Sequence, residues 1–179
     1  MNRYITLLRG INVAGKNKLV MADLKAAVSE LGFSTVATYL NSGNLILSSD
    51  ITDPTEISAQ IKAMISRNFQ VDIPVYTLLQ ANLETILAHA PVWWGDPDKT
   101  IYDNLIFVLP PLSPTDIHDE IGLPQPDYEK VADYENAIFW SFSRKDYQKT
   151  NWWSKTANSA VKDGLTIRTA NTVRRLAKA

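Results

Sequence analysis

From Arg3 to Leu79 the hydrophobic period changes in the order two, helical, two, two, helical, two, and few folds accommodate that order. Arg3–Leu8 alternates, with Ile5 and Leu7 on one face and Tyr4, Thr6 and Leu8 on the other. Met21, Leu24, Val28 and Leu31 then fall on a single helical stripe, which Gly32 ends. Thr35–Leu40 and Leu45–Ser48 read as a hairpin around Asn41-Ser42-Gly43-Asn44. Asp53-Pro54-Thr55-Glu56 opens a second helix, with an acidic cap, a proline in the first turn and a glutamate three residues after the cap. Ile57, Ile61, Met64, Ile65 and Phe69 form its apolar stripe, and Ile73–Leu79 returns as a strand. The order β-α-β-β-α-β is the split βαβ, or ferredoxin-like, unit, whose right-handed crossovers lay both helices on one sheet face.

The pattern then recurs. Asn82–Ala90 reads as a bridging helix stopped by Pro91, and Trp93–Lys99 as a turn-rich link. Ile101–Leu109 is β-rich, Ser113-Pro114-Thr115-Asp116 repeats the helix-opening chemistry, and Ile117 and Ile121 form a short stripe. Tyr128–Ala132 and Ala137–Phe142 form a second hairpin, Trp152–Lys162 a helix stopped by Gly164, Leu165–Arg168 a strand and Ala170–Lys178 a last helix. Aligning Asn44 with Asn136 brings the two hairpins into register. The expected architecture is α+β: two ferredoxin-like units packed together, each an antiparallel sheet with helices on one face. The first is expected over residues 1–79, a bridging helix and linker over 80–100, and the second, with an extra C-terminal helix, over 101–179.

A hydrophobic fraction of 45% in 179 residues suits globular units with real cores. No apolar run approaches the ~18 residues of a membrane span. The chain enters a strand from its first residues, without the apolar core of a signal peptide, and it contains no cysteine; both point to the cytoplasm. Net charge is −1 but unevenly placed: residues 101–143 carry one cation against eight acids, and residues 144–179 nine cations against two. These segments either neutralise each other or leave a basic surface for a polyanion.

The stretch from Leu8 to Lys18 carries the most chemistry. It joins the first strand to the first helix with two glycines, two asparagines and three cations. It matches neither the dinucleotide glycine frame nor the P-loop, since Gly15-Lys16 is followed by Asn17. Two accounts stay open: an anion site at a helix N-terminus, or a long loop whose Asn12 and Asn17 bond their own backbone. His89 and His118 lack companions at metal-ligand spacing, so no metal and no cofactor are expected. Asp116, Asp119 and Glu120 read as a solvated face, and no nucleophile or general base stands out. In each of the pairs Trp93-Trp94 and Trp152-Trp153 one ring should be buried and the other half exposed, because neighbours point apart. Packing between the two units is the preferred account of the tryptophans.

The segments Leu7-Leu8-Arg9-Gly10-Ile11-Asn12-Val13, Gly15-Lys16-Asn17 and Tyr39-Leu40-Asn41-Ser42-Gly43-Asn44 resemble the opening of a widespread bacterial family known as domain of unknown function 1697. Thr166-Ile167-Arg168-Thr169-Ala170-Asn171-Thr172-Val173, with Leu176, is similar to its closing motif, as is the basic-aromatic stretch from Ser143 to Trp152. The closing motif departs from that family at Thr169 and Ala170, where the resemblance implies Asn and Trp, so any stacking by an aromatic at position 170 is lost. The resemblance implies a two-part α+β fold in a bacterial cytoplasmic protein and brings no activity. It marks Arg9, Asn12, Lys16, Ser42, Asn44, Arg168 and Asn171 as residues to watch. Two arginines with amides and a hydroxyl suit a phosphate or carboxylate. The expected function is binding of a small anionic ligand, with Arg9, Lys16 and Arg168 for charge and the others for orientation. The alternatives are single-stranded nucleic-acid binding through the basic C-terminal segment with Trp152 or Trp153, and a structural or protein-partner role. No membrane partner is expected.

Overall fold

A computed structural model describes all of residues 1–179. The first repeat of the pattern becomes β1 (Asn2–Leu8), α1 (Met21–Glu30), β2 (Ser34–Tyr39), β3 (Asn44–Ser49), α2 (Pro54–Phe69) and β4 (Val75–Leu79). A helix α3 (Gln80–Ala88) follows, and the second repeat is β5 (Ile101–Val108), α4 (Pro114–Ile121), β6 (Glu129–Tyr134), β7 (Ala137–Ser143), α5 (Trp152–Asn158), β8 (Leu165–Thr169) and α6 (Ala170–Ala177). The sheets have strand orders β2-β3-β1-β4 and β6-β7-β5-β8, with antiparallel neighbours throughout. Both are the ferredoxin-like order, so the α+β class with two such units holds. By its internal contacts the chain divides into Met1–Leu83 with Leu176–Ala179, and Glu84–Arg175.

In the first unit Tyr4 and Leu8 of β1 join Leu45, Leu47 and Val36 beneath the apolar stripes of α1 and α2, with Leu24, Val28, Ile57, Ile61 and Ile65 fully buried. Ile5 and Leu7 on the other face of β1 are equally buried, so this strand has no solvated side. Midway along the helix-covered face, Thr6 and Thr77 pair across the strands, Oγ1 to Oγ1 at 2.8 Å, and Ser58 of α2 donates to Thr77 at 2.9 Å. That chain of hydroxyls satisfies polar atoms in an otherwise apolar layer and ties α2 to the sheet. Asp53 caps α2 by accepting from the Thr55 hydroxyl and amide, which hold its carboxyl below the usual range. The capping contribution is therefore present above the unfolded-state pKa and is lost as pH falls through the lowered one.

The core of the second unit holds Ile106, Val108, Ile117, Ile121, Ile138, Trp140, Phe142, Trp152 and Leu165. Trp140 and Trp152 thus pack inside their own unit rather than serving mainly a junction. Trp153, next in sequence, is 40% exposed, as the opposed directions of neighbours require. Two local expectations need correction. The helix from Trp152 ends at Asn158, where Ser159 turns extended, and Lys162–Gly164 is a separate 3-10 turn. Asn and Ser compete with helical hydrogen bonds and break the run. A further 3-10 turn spans Arg144–Lys149. The hairpins also align one residue differently: Leu8 N donates to Gly43 O and Val108 N to Asn136 O, so Gly43, not Asn44, corresponds to Asn136.

Candidate functional site

The β1–α1 connection reverses direction repeatedly. Gly10, Asn12, Ala14, Gly15 and Asn17 all have positive φ, between 48° and 76°. Asparagine and glycine tolerate that region, and Ala14 does so at a cost of about 1 kcal/mol. Asn12 holds the loop in place. Its Nδ2 donates to Leu19 O (3.0 Å) and Asn41 O (2.9 Å), and its Oδ1 accepts from Leu19 N (2.9 Å). Asn17 Nδ2 donates to Gly10 O at 2.9 Å, and Lys16 N donates to Val13 O at 2.9 Å, closing a small bridge at the tip. Both asparagines bond backbone groups, Asn17 within the loop and Asn12 also across to the hairpin at Asn41.

The clamped loop leaves an open hollow of about 470 Å³ lined by Asn12, Gly15, Lys18, Leu19, Val20, Met21 and Asn41. The hollow meets the N-terminus of α1, whose cap position is Val20, a residue with no side-chain acceptor to offer the first-turn N–H groups. Lys18 is exposed on its wall and Lys16 is exposed nearby on the loop, while Asp23 lies in the first turn of α1. Positive potential and free donors make such a place suited to an anion.

The residues singled out in the sequence separate into two groups. Arg9, Asn12, Lys16, Ser42 and Asn44 all lie in the first unit, on the loop and on the hairpin that Asn12 fastens to it. Arg9 is half-buried at the root of the loop, its amide donating to Pro74 O (3.1 Å). Asn44 is fully buried, and its Nδ2 donates to Tyr39 O (2.7 Å) and Ser42 Oγ (3.1 Å), bracing the hairpin tip. Gly43 between them has φ +87°, and a Cβ there would lie 2.7 Å from Leu8 Cβ and Ile11 Cδ1, so the tip needs glycine twice over.

Arg168 and Asn171 lie in the second unit. Arg168 is buried on β8, with Nη1 donating to Thr166 Oγ1 and Ile167 O, both at 2.9 Å; Asn171 is exposed at the start of α6. Lys18 and Asn41 line the hollow but were not singled out in the sequence. Lys18 was one of three cations in the stretch, and only the hollow distinguishes it.

The second unit carries a distinct surface. Trp153 stands among Tyr147 (5.0 Å between ring centroids), Phe142 (5.7 Å) and Tyr102 (6.5 Å), and the Arg144 guanidinium lies 4.4 Å from the Tyr102 ring centre. Trp152 is wholly buried, its Nε1 donating to Gly122 O. His118 bonds Asp133 (2.8 Å) and His89 stacks on Tyr134, both structural arrangements.

A family model described as "Protein of unknown function (DUF1697)" matches residues 1–139. Among solved structures, a conserved bacterial protein from Streptococcus pneumoniae has a TM-score of 0.80 and 28% identity, over 99% of this chain and 97% of that one. Among curated proteins, none matches. No helix is long and apolar enough to cross a membrane.

Proposed function

Because the chain belongs to DUF1697, a family described without an activity, we propose a function from its own chemistry: binding of a small phosphate- or carboxylate-bearing ligand in the hollow beside α1. The observation that carries this reading is the uncapped N-terminus of α1 opening onto a hollow with Lys18 on its wall. Lys18 and Lys16 supply charge, the first-turn amides of α1 supply directed donors, and Asn12 keeps the walls apart. Arg9 adds charge at the loop root. The test is an amide NMR titration with inorganic phosphate. Shifts should concentrate on Lys18–Asp23 and weaken as salt is raised. Lys18→Ala should reduce affinity at least about tenfold, the loss of one charge-assisted hydrogen bond. An unchanged affinity in that variant would remove the reading.

One observation favours a second reading, single-stranded nucleic-acid binding: Trp153 is the half-exposed ring of its pair, and the Tyr102 ring near it carries the Arg144 guanidinium. Stacking on such a platform contributes about 1–3 kcal/mol per base. Trp153→Ala should then weaken oligothymidylate binding at least about fivefold, with the fold unchanged. A flat fluorescence titration of the unaltered protein at low salt would end this reading.

A further inference from the structure

Folding gathers at one end of the Met1–Leu83 unit a set of apolar side chains that the hollow beside α1 does not account for. Asn12 Nδ2 donates to Leu19 O and Asn41 O, so the β1–α1 loop, the entry to α1 and the β2–β3 tip meet at one carboxamide. Val13 follows Asn12, Val20 follows Leu19, and Leu40 precedes Asn41. These side chains are 61%, 63% and 52% exposed, three of the seven large apolar residues that the whole chain leaves in water. Exposed singly, such residues need no explanation. In sequence these three lie apart and signal no membrane partner, but the fold brings them round one centre.

Leu40 is the most telling. Its backbone is left-handed (φ 60°), a region costly for leucine and easy for asparagine or glycine. With half of its side chain in water, little within the chain offsets that cost. Strain of this kind persists where it serves a contact.

The same segments are basic. Residues 9–22 and 39–44 carry Arg9, Lys16 and Lys18 and no acid, the first acid being Asp23 in α1. Lys16 and Lys18 are exposed. Protein interfaces favour aromatic residues and arginine and are poor in lysine. Here the exposed apolar residues are aliphatic and the exposed cations are lysines. A single-stranded nucleic acid would need rings on which to stack, and none of these three residues supplies one. Aliphatic side chains on loops with lysines beside them suit an anionic bilayer: the first enter the boundary of headgroups and acyl chains, the second meet the headgroup charge. Either alone is a marginal anchor, and stable docking takes both.

We propose that this end of the first unit docks on the surface of an anionic lipid bilayer, with Val13, Val20 and Leu40 inserted among the headgroups and Lys16 and Lys18 against their negative charge. The contact is peripheral and needs no membrane-spanning helix. It goes beyond the phosphate reading and shares its lysines, but Val13 and Leu40 lie outside the lining of the hollow.

Sedimentation of the full chain with lipid vesicles is the test. Binding to phosphatidylcholine vesicles containing about 30% phosphatidylserine should exceed binding to pure phosphatidylcholine at least about tenfold, and about 0.5 M sodium chloride should release it. Leu40→Asn removes the aliphatic side chain and suits the left-handed backbone. It should therefore melt no lower than the parent, yet bind the anionic vesicles about fivefold more weakly. Val13→Ser, at an exposed loop position, should lose about as much. Both variants should titrate with inorganic phosphate as the parent does. A phosphate response without vesicle binding thus overturns this proposal and leaves the phosphate reading standing. Equal binding to both kinds of vesicle, undiminished binding by both variants, or a concentration-dependent dimer that Leu40→Asn abolishes would likewise overturn it.

Discussion

Replacing Glu129 with alanine is expected to cost the protein about 3–5 kcal/mol, a large share of the stability of an ordinary domain. Glu129 is 3% exposed on β6. Its Oε1 accepts from Trp140 Nε1 (3.0 Å) and Trp152 N (3.3 Å), and its Oε2 accepts from Gln125 N (2.9 Å) and from Asn151 N. Those donors belong to the loop before β6, to β7 and to the start of α5, so a single carboxylate joins three segments distant in sequence. Two of the donors are at the N-terminus of α5, where a negative charge also complements the positive end of the helix dipole. Around it, Asn151 Nδ2 donates to Ile121 O and Leu123 O, fixing α5 against the end of α4. Alanine would leave four N–H groups without that acceptor, those of Trp140 and Trp152 fully buried. The midpoint of thermal unfolding should fall by about 8–15 °C, and the near-ultraviolet signal of Trp140 and Trp152 should weaken. Glu129→Gln retains one acceptor oxygen and turns an NH2 toward N–H donors, so it should cost about 2–3 kcal/mol. A Glu129→Ala protein within about 1 kcal/mol of the parent would show that the carboxylate is not the joint described.

Nothing local in the sequence distinguishes Glu129 from the solvated acids around it. It precedes a lysine in an acidic segment, and its burial depends on Trp140 and Trp152 closing over it from elsewhere in the chain. Signals that act over a few residues were legible. Asp53-Pro54 begins α2, Gly32 follows α1, and the opposed exposures of Trp152 and Trp153 follow from helical geometry alone. The strand order was legible too, because period and turn spacing leave few right-handed alternatives. Aligning the hairpins by their asparagines failed by one residue. The repeat is set by which carbonyl receives the amide at the end of the central strand, and residue type does not report that.

Asn12 stands between these cases, since its type announced a turn but not what it would hold. Its carboxamide reaches forward to Leu19 and across to Asn41, so it fixes both the entry to α1 and the position of the β2–β3 tip. Asn12→Ala is expected to cost about 2–4 kcal/mol: three hydrogen bonds at roughly 1 kcal/mol each, together with a left-handed backbone (φ 54°) that alanine tolerates less well. Glycine at the same position should recover about 1 kcal/mol of that through the backbone alone. Aspartate should do no better than alanine, because it would direct a second acceptor at the carbonyls of Leu19 and Asn41. The local readout is hydrogen exchange at the Leu19 amide, which bonds Asn12 Oδ1 and should lose protection in the alanine and glycine variants. If the hollow beside α1 receives an anion, phosphate binding should weaken with the same ranking although Asn12 carries no charge, because Lys18 and the first-turn amides would no longer be held around one centre. Phosphate affinity that survives Asn12→Ala while the Leu19 amide becomes exchangeable would separate the clamp from binding and place the anion elsewhere.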